Sequence, residues 1–234
     1  MILLTMDTSG PVCGIALTED GEIRYEAVVK NNFTHSRNLM PMVEEACLRS
    51  GVPIEKVDMF ACTVGPGSFT GVRLGVEAAK ALGHALSRRV IPVDALEAFA
   101  EGHRGFDGLI LPMQDARAKQ VYAALFEGAT LERLTDDMPV PLEEILDMAA
   151  DDGRKVLVTG DGAAAHRGEI LSYGKLASRV TCAGPAGIYL RPACAAACAF
   201  SHMETALDWR DLEPLYLRPP QAERQKNLKE KGHE

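Results

Sequence analysis

Short apolar runs alternate with polar or glycine-containing turns through the first part of the chain. Brief apolar runs bounded by turn residues predict β-strands, whereas longer stretches with apolar residues three and four apart predict helices. The predicted strands are residues 2–6, 12–17, 22–29, 59–64 and 89–93, and the predicted helices are residues 36–50, 71–86 and 95–101. Only tight turns separate the first three strands, which therefore predict an antiparallel meander. The order of elements is βββαβαβα.

The pattern starts again after a polar, glycine-containing stretch at residues 103–108. The predicted strands are residues 109–113, 120–126, a weaker 131–134 and 155–159; the helical regions are 142–149, 163–173 and 187–207, with an extended segment at 213–218. This order echoes the first part, although the residues themselves do not repeat. We therefore expect an α/β fold with two lobes, residues 1–104 and 105–218. Residues 219–234 are charged and poor in apolar side chains, which predicts a flexible tail.

The stretch from residue 59 to residue 86 holds the main candidate for a binding site. A buried strand ends there at Gly65-Pro66-Gly67, and Ser68 or Thr70 can cap the helix that follows. A glycine-rich turn before a helix gathers free N–H donors at the positive end of the helix dipole, and such a place suits an anion such as phosphate. Strand–turn–helix units also occur throughout α/β proteins, and on physical grounds alone close packing is the favoured reading.

The same helix carries small residues at a spacing of four, which places them on one face. Glycine inside a helix costs roughly 1 kcal/mol relative to alanine, so the repetition needs a reason. The simplest reason is the close approach of another backbone, either that of the chain's own sheet or that of a partner. The small residues are Gly71, Gly75, Ala79 and Gly83, and the apolar residues that widen this face are Leu74, Ala78 and Leu82.

Composition narrows the classes of function. The chain has 234 residues, 47% of them hydrophobic and 25% charged, as in ordinary globular proteins. Its net charge of −8 gives no overall basic footprint for nucleic acid. There is no signal-peptide pattern and no apolar stretch long enough to span a membrane, so we expect a cytoplasmic protein.

The chain contains six cysteines, and three of them lie within apolar strand or helix patterns, where a free thiol acts as a small hydrophobe. Cys194 and Cys198, four residues apart in an alanine-rich helical run, can share a face as metal ligands, with Cys182 as the remaining candidate. Because no second pair and no nearby His completes a site, helix packing is the favoured explanation.

Five motifs in order along the chain carry a resemblance to a known family. They are MDTS at the first turn, THSRNLMP at the first helix, GPGSFTGVRLGVEAAKAL, QDARAKQVYAALF and the late LEPLYLR. Together they resemble the bacterial TsaB family, also called YeaZ, over nearly the whole chain except the tail. The resemblance implies a two-lobed actin/sugar kinase/Hsp70-like fold built from doubled βββαβα units. It also implies a role in making N6-threonylcarbamoyladenosine at position 37 of ANN-decoding tRNAs.

Within that pathway the resemblance implies a scaffold rather than a catalyst. The paralogue TsaD transfers the threonylcarbamoyl group, TsaB is its partner, and the ATPase TsaE joins them. TsaD binds its metal through the two histidines of an N-H-M-E-G-H motif. The matching residues here are Asp94, Ala95, Leu96, Glu97, Ala98 and Phe99. Because Ala95 and Phe99 cannot coordinate a metal and Glu97 cannot hold one alone, we expect no metal centre and no catalytic residues. A peptidase is also disfavoured, since the chain has neither H-E-x-x-H nor G-x-S-x-G.

Two hypotheses for the function follow. In the first, two helices pack against the equivalent helices of TsaD, and the same surface forms a homodimer when TsaD is absent. The proposed interface residues are His35, Leu39, Val43, Gly71, Leu74, Gly75, Ala78, Ala79, Leu82 and Gly83. TsaE would join through the complex and tRNA would be contacted indirectly.

The second hypothesis is an enzyme that binds or hydrolyses ATP in the cleft between the lobes. An Asp at each strand tip can hold a metal–phosphate group, although Asp7 can equally bond the N–H groups of its own turn. The proposed residues are Asp7, Thr8, Ser9, Gly67, Ser68 and Asp115. No general base stands out beside them, so ATP or ADP with Mg²⁺ is expected, if anywhere, at the level of the complex. The tail, with a small excess of Lys and Arg from Arg218 onwards, is either solvated or touches tRNA phosphate.

Overall fold

The computed structural model describes residues 1–31 and 33–218. Its strands are β1 (Ile2–Asp7), β2 (Cys13–Glu19), β3 (Glu22–Val29), β4 (Met59–Gly65), β5 (Val90–Asp94), β6 (Leu109–Asp115), β7 (Gln120–Ala123), β8 (Phe126–Glu127), β9 (Met138–Pro141), β10 (Val156–Thr159) and β11 (Val180–Cys182). Its α-helices are α1 (His35–Ser50), α2 (Phe69–Leu86), α3 (Ala95–Glu101), α4 (Leu142–Asp151), α5 (Asp161–Ala165), α6 (Arg167–Leu171) and α7 (Pro192–Ser201). The predicted tail at residues 219–234 lies outside the described residues.

The first sheet has the strand order β3-β2-β1-β4-β5. Its first three strands are antiparallel neighbours, which confirms the predicted meander, and β4 and β5 join in parallel. Because successive side chains of a strand point to opposite faces, Leu3 and Leu4 enter different cores. Leu4 packs with α1 and α2, whereas Leu3 packs with α3 and α7. The first sheet is therefore covered by helices on both faces.

The second sheet repeats this arrangement. Its order β11-β10-β6-β7-β9 corresponds strand for strand to the first sheet, with β6 in the place of β1 and β10 in the place of β4. Pairs β6–β7 and β7–β9 are antiparallel, and β10 pairs in parallel with both β6 and β11. Helices α4, α5 and α6 contribute to its buried core. The doubled βββαβα unit predicted from the order of elements is confirmed.

Three predicted elements of the second half are wrong in detail. The third strand is β9 rather than residues 131–134, where Leu131 has a φ of 62° that no strand residue adopts. Strand β9 contains two prolines, which an edge strand tolerates because one side of it needs no ladder donors. The predicted helix 163–173 is two short helices interrupted at His166, and the helix within 187–207 covers only α7. Strand β11 was not predicted.

Helix α3 lies between the two sheets. Its Ala98 and Phe99 belong to a core with the first sheet, whereas Leu96 and Ala100 pack with Ile110 of the second. The predicted boundary between the lobes at residue 104 stays a prediction. Helix α7 follows that boundary in the sequence, yet it packs on the first sheet. Within residues 1–31 and 33–218, no helix combines the length and the apolar character that crossing a membrane requires.

Candidate functional site

A cleft of about 580 Å³ opens where the ends of β1 and β6 face each other. Its walls come from the turn after β1, the start of α2, the end of β6, the start of α5 and the extended segment at residues 215–218. The doubled topology explains the place, because the two equivalent strands β1 and β6 end at the same point between the lobes. This is the cleft in which the second hypothesis places a nucleotide.

Asp7 lies fully buried at the end of β1. Its Oδ1 accepts hydrogen bonds from the Ser9 backbone N–H at 3.0 Å, from Ser9 Oγ at 2.7 Å and from Thr63 Oγ1 at 2.6 Å. Its Oδ2 has no hydrogen-bond partner among the described residues. Burial raises the pKa of this carboxyl despite these donors. Asp7 thus fastens its own turn, as one of the two sequence-based alternatives expected.

Gln114 of β6 connects the two lobes below the cleft. The side chain is 3% exposed, and its Nε2 donates to Ser9 Oγ at 3.4 Å. Ser9 Oγ in turn donates to Asp7, so a buried chain of hydrogen bonds runs from one sheet to the other. Sequence reasoning missed Gln114. The only signal for Gln114 in the sequence was its position beside Asp115 at a predicted strand tip. The charged Asp115 was the residue selected there.

Two carboxylates stand on the opposite wall of the cleft. Asp115 is exposed, and its Oδ1 accepts from the Arg117 backbone N–H at 2.7 Å. Asp161 begins α5, and burial together with the negative charge of Asp115 raises its pKa to about 6. Asp161 was not among the predicted site residues, although the Gly160-Asp161-Gly162 turn after β10 was the available signal.

The loop before α2 packs tightly against the turn after β1. Ser68 Oγ accepts from the Gly71 N–H at 3.3 Å, so Ser68 is the helix cap, and the Ser68 N–H donates to the Ser9 carbonyl at 2.7 Å. A Cβ at Gly67 would collide with that same carbonyl. The structure therefore brings the predicted residues of the first lobe together, with Asp115 across the cleft, but several of their polar groups already bond one another. Whether the set binds nucleotide stays a prediction.

The small face of α2 packs on this chain itself. A Cβ on Gly71 would overlap the Thr8 carbonyl, and one on Gly75 would lie 2.6 Å from Thr8 Oγ1. At the other end, a Cβ on Gly83 would lie 3.0 Å from side-chain atoms of Val90 and of Trp209. The explanation by a partner's backbone is therefore corrected, because the chain's own turn and sheet occupy this face.

The other predicted interface residues divide into two groups. Leu39 and Val43 of α1 are buried in the core of the first sheet, so they cannot meet a partner without rearrangement. Leu74, Ala78 and Leu82 remain half-buried at its edge. His35 is half-buried, and its Nε2 lies 3.0 Å from the Gly10 carbonyl at the cleft. The interface as a set stays a prediction.

The cysteines show no reactive environment. All six are free, and burial raises the pKa of Cys182, of Cys198 and of Cys194, the last to about 11. A thiol must ionise to ligate a metal or attack an electrophile, and these environments oppose ionisation. Within the part of the chain that the structure describes, no three His, Cys, Asp or Glu side chains are placed to hold a metal ion.

Comparison with known proteins identifies similar sequences. The family model described as TsaD, tRNA N6-adenosine threonylcarbamoyltransferase, matches residues 30–187. A Bacillus subtilis protein named tRNA threonylcarbamoyladenosine biosynthesis protein TsaB is 35% identical over 169 residues, which are 71% of this chain and 74% of the relative. A Haemophilus influenzae protein of the same name is 33% identical over 141 residues, 58% of this chain and 57% of its own length.

Solved structures share the fold. A Pseudomonas aeruginosa protein described as similar to the peptidase YeaZ superposes with a TM-score of 0.77 at 24% identity, covering 93% of this chain and 99% of its own. The ethanolamine utilization protein EutJ from Carboxydothermus hydrogenoformans superposes with a TM-score of 0.52 at 12% identity, covering 84% and 90%. Likeness at such identities concerns the fold alone. The fold is the two-lobed actin/sugar kinase/Hsp70-like α/β architecture that the resemblance implied.

Proposed function

Since this chain belongs to the TsaB family, within the wider family that the TsaD model describes, we propose that it serves threonylcarbamoylation of tRNA as a non-catalytic partner of a TsaD-type transferase. The names of its relatives support the pathway, and the match to the TsaD model supports a paralogous partner of the same fold. The transferase itself would recognise position 37 of ANN-decoding tRNAs, with a TsaE-type ATPase joining the complex in the cytoplasm.

The observation that carries the non-catalytic role is the burial of α3. Ala95 and Phe99 stand where the resemblance to TsaD places two metal-binding histidines, and they are 0% and 6% exposed. Phe99 packs in the apolar core on the first sheet, and Ala95 is fully buried at the start of α3, so neither side chain faces an open site. A metal ligand needs a lone pair and an open coordination path, and these side chains supply neither.

The surface best suited to a partner lies on α1 and α2, which contact each other on one face of the first sheet. Leu74, Ala78 and Leu82 form a half-buried row along α2. On α1, Met40 and Leu48 are 43% and 78% exposed. Apolar side chains left half-open on two adjacent helices suit packing against a second helical pair. In the absence of that partner, a second copy of the chain would cover the same surface.

The test uses Ala78→Glu, which places a charge in the middle of the α2 row. We expect the variant to keep its circular dichroism spectrum and to lose co-purification with the organism's TsaD-type transferase, because burying an unpaired carboxylate at an interface is costly. Met148→Glu on α4 is the matched control, since Met148 is an exposed apolar residue outside this surface. Undiminished recovery of the Ala78→Glu complex would contradict the proposed surface.

A second candidate, ATP binding in the cleft, has one observation in its favour. Asp7 Oδ2, Gln114 Oε1 and Asp161 Oδ1 are all buried without a hydrogen-bond partner among the described residues. Such oxygens would fit water molecules that coordinate Mg²⁺. Against it, the Ser9 and Ser68 N–H groups that would cradle phosphate already bond within the chain. Calorimetric titration of the isolated chain with Mg-ATP, followed by a turnover assay, separates this enzyme from the scaffold.

A further inference from the structure

Two stacks of aromatic rings and guanidinium groups stand at the mouth of the cleft. On the first lobe, the rings of Phe69 and Tyr216 stack at 4.5 Å with an angle of 25° between their planes, and the Arg73 guanidinium lies 5.3 Å from the Phe69 ring. On the second lobe, the Arg218 guanidinium lies 5.7 Å from the ring of Tyr122 on β7. Phe69, Tyr122, Tyr216 and Arg218 all line the cleft.

The extended segment that carries Tyr216 and Arg218 is fastened to the first lobe. The Leu215 N–H donates to the Val64 carbonyl at the end of β4, at 2.7 Å. Lys80 Nζ of α2 donates to the Leu212 carbonyl at 2.9 Å, and Leu212 is fully buried in the core. These bonds hold the segment, and with it Tyr216 and Arg218, at the entrance of the cleft.

Charge at this mouth differs from that of the molecule as a whole. The chain carries a net charge of −8, yet Arg73, Arg117 and Arg218 gather around the opening. The carboxylates of Asp115 and Asp161 also line the cleft. Arg73 and Arg117 are exposed, and Tyr216 is 37% exposed, so an arriving molecule can reach both charge and ring.

Rings stacked beside guanidinium groups are the features that bind unpaired nucleotides. A free base stacks on an aromatic or guanidinium plane, while neighbouring cations neutralise the phosphates. The volume of about 580 Å³ falls within the range of small-molecule pockets and admits a base that has left its own stack. A duplex offers no free base face, and an apolar protein partner would leave the cations without a counter-charge. The surface therefore matches a single-stranded loop.

We propose that the mouth of the cleft binds a single-stranded RNA loop, with one unpaired base on the Phe69–Tyr216 stack and the phosphates beside Arg117 and Arg218. The inference rests on the proposed function, which supplies tRNA as the substrate class, and it goes beyond a scaffold that meets tRNA only through its partner. It concerns described residues alone and is independent of the sequence-based idea that the tail touches phosphate.

The experiment measures fluorescence anisotropy of a labelled anticodon stem–loop RNA with the full chain, alone and in complex with the TsaD-type partner. We expect Tyr216→Ala to weaken binding about tenfold and Tyr216→Phe to retain it, because the ring rather than the hydroxyl carries the stacking. Arg218→Gln should weaken binding and reduce the salt dependence by about 0.7 in the slope of log K against log salt, the value for one phosphate contact on a single strand. Lys175→Gln, an exposed cation outside the cleft, is the matched control.

Several outcomes would overturn the inference. These are equal binding of a duplex of the same sequence, wild-type affinity in both the Tyr216→Ala and Arg218→Gln variants, or no RNA binding by the chain in either state. Loss of binding on truncation after Arg218, with Tyr216→Ala unaffected, would assign the contact to the tail instead. Loss of TsaD co-purification in Tyr216→Ala, with RNA binding intact, would make this surface a protein interface.

The inference and the proposed function can fail separately. Undisturbed co-purification together with absent RNA binding removes only the inference. RNA binding that depends on Tyr216, in a chain whose Ala78→Glu variant still recovers the transferase, removes only the proposed partner surface. Melting temperatures of all variants, with Tyr216→Phe as the conservative reference, show whether a lost signal reflects unfolding.

Discussion

At the scale of single residues, the buried polar groups under the cleft join the two lobes through hydrogen bonds. Asp7 Oδ1, Ser9 Oγ and Gln114 Nε2 form a chain of hydrogen bonds that crosses from one sheet to the other. Asp161 stands outside this chain of hydrogen bonds; its Oδ1, like Asp7 Oδ2 and Gln114 Oε1, has no partner among the described residues, and its pKa is raised to about 6. A buried carboxyl without enough donors costs free energy whenever it is ionised.

Asp161→Asn is therefore expected to stabilise the protein at neutral pH and not at low pH. The pKa of Asp161 is raised from 3.8 to about 6 on folding, so the native state binds the proton more tightly. Its contribution to the free energy of unfolding falls as pH rises from about 4 to about 6 and stays low above that. We expect a gain of about 1–3 kcal/mol at pH 7.5 and none at pH 4, measured by urea unfolding. Asp136→Asn, at an exposed position, is the control, and equal gains at both pH values would contradict the argument.

Gly75→Ala tests the close contact between α2 and the turn after β1. A Cβ at Gly75 would meet Thr8 Oγ1 at 2.6 Å, and that hydroxyl is held by its bond to the Gly71 carbonyl at 2.7 Å. We expect a loss of about 1–3 kcal/mol in the free energy of unfolding. In a Thr8→Ala background the clash disappears, and the same substitution should gain about 0.5–1 kcal/mol through helix propensity.

The control for this cycle is Gly168→Ala in α6, where an added Cβ meets no atom within 4 Å among the described residues. It should stabilise the protein in either background. Additive effects of Gly75→Ala and Thr8→Ala would show that the two residues do not interact in the way the geometry requires.

At the scale of elements, the apolar patterns of α2 and α3 are explained by how many sides of each helix are buried. Helix α2 has one face on the sheet and a half-open apolar row beside it, so its pattern combines packing with a surface. Helix α3 is buried between the sheets, and five of its seven residues are buried. Its two polar residues, Glu97 and Glu101, lie four residues apart and bond His202 and Arg104, so the polar side of this helix is narrow and the rest of it is apolar.

Restoring histidines to α3 should therefore harm the fold rather than create a metal site. Ala95→His combined with Phe99→His would place one imidazole at a fully buried position and the other in the apolar core on the first sheet. We expect a loss of more than about 3 kcal/mol in stability, without rescue by Zn²⁺ in thermal melts. Glu144→His on the exposed side of α4 is the control. A melting temperature that rises with Zn²⁺ in the double variant would contradict this account.

At the scale of the whole molecule, the chain returns to its first lobe before the described residues end. Helix α7 covers the first sheet, Leu212 enters its core, and residues 215–218 cross the entrance of the cleft. Such long-range returns tie the two lobes into one folding unit. They also place residues from the end of the chain beside the turn after β1, where the cleft is.

Truncation after Asp211 should leave a less stable protein than truncation after Arg218. The shorter chain loses the buried side chain of Leu212 and the hydrogen bond from the Leu215 N–H to Val64. We expect a loss of about 2–4 kcal/mol in the free energy of unfolding, from burial of one leucine and about one hydrogen bond. Equal stability of the two truncated chains in urea would contradict the role assigned to this segment.

Much of the fold could be predicted because periodicity acts within short windows. The meander, the strand and helix around Gly65 and the repeated order in the second half all follow from local patterns. The strands that were not predicted depend instead on contacts with residues distant in the sequence. Strand β9 contains two prolines and exists because β7 offers it an edge, and β11 is three residues long and is held by β10. The site was predicted in part, since the strand tips were recognised while Gln114 and Asp161 were not.

The amino-acid sequence was enough to predict the alternation of elements, a hydroxyl cap at Ser68 or Thr70 and the family, because these depend on neighbouring residues or on motifs in a fixed order. The cap at Ser68, the contacts of the small face of α2 and the positions of Tyr216 and Arg218 depended on the folded chain. A row of glycines on a helix predicts a close contact but does not identify the contacting residue. For Gly71 and Gly75 the closest atoms belong to Thr8, more than sixty residues earlier in the chain. Contacts between residues so far apart depend on how the sheets and helices pack, which no local pattern encodes.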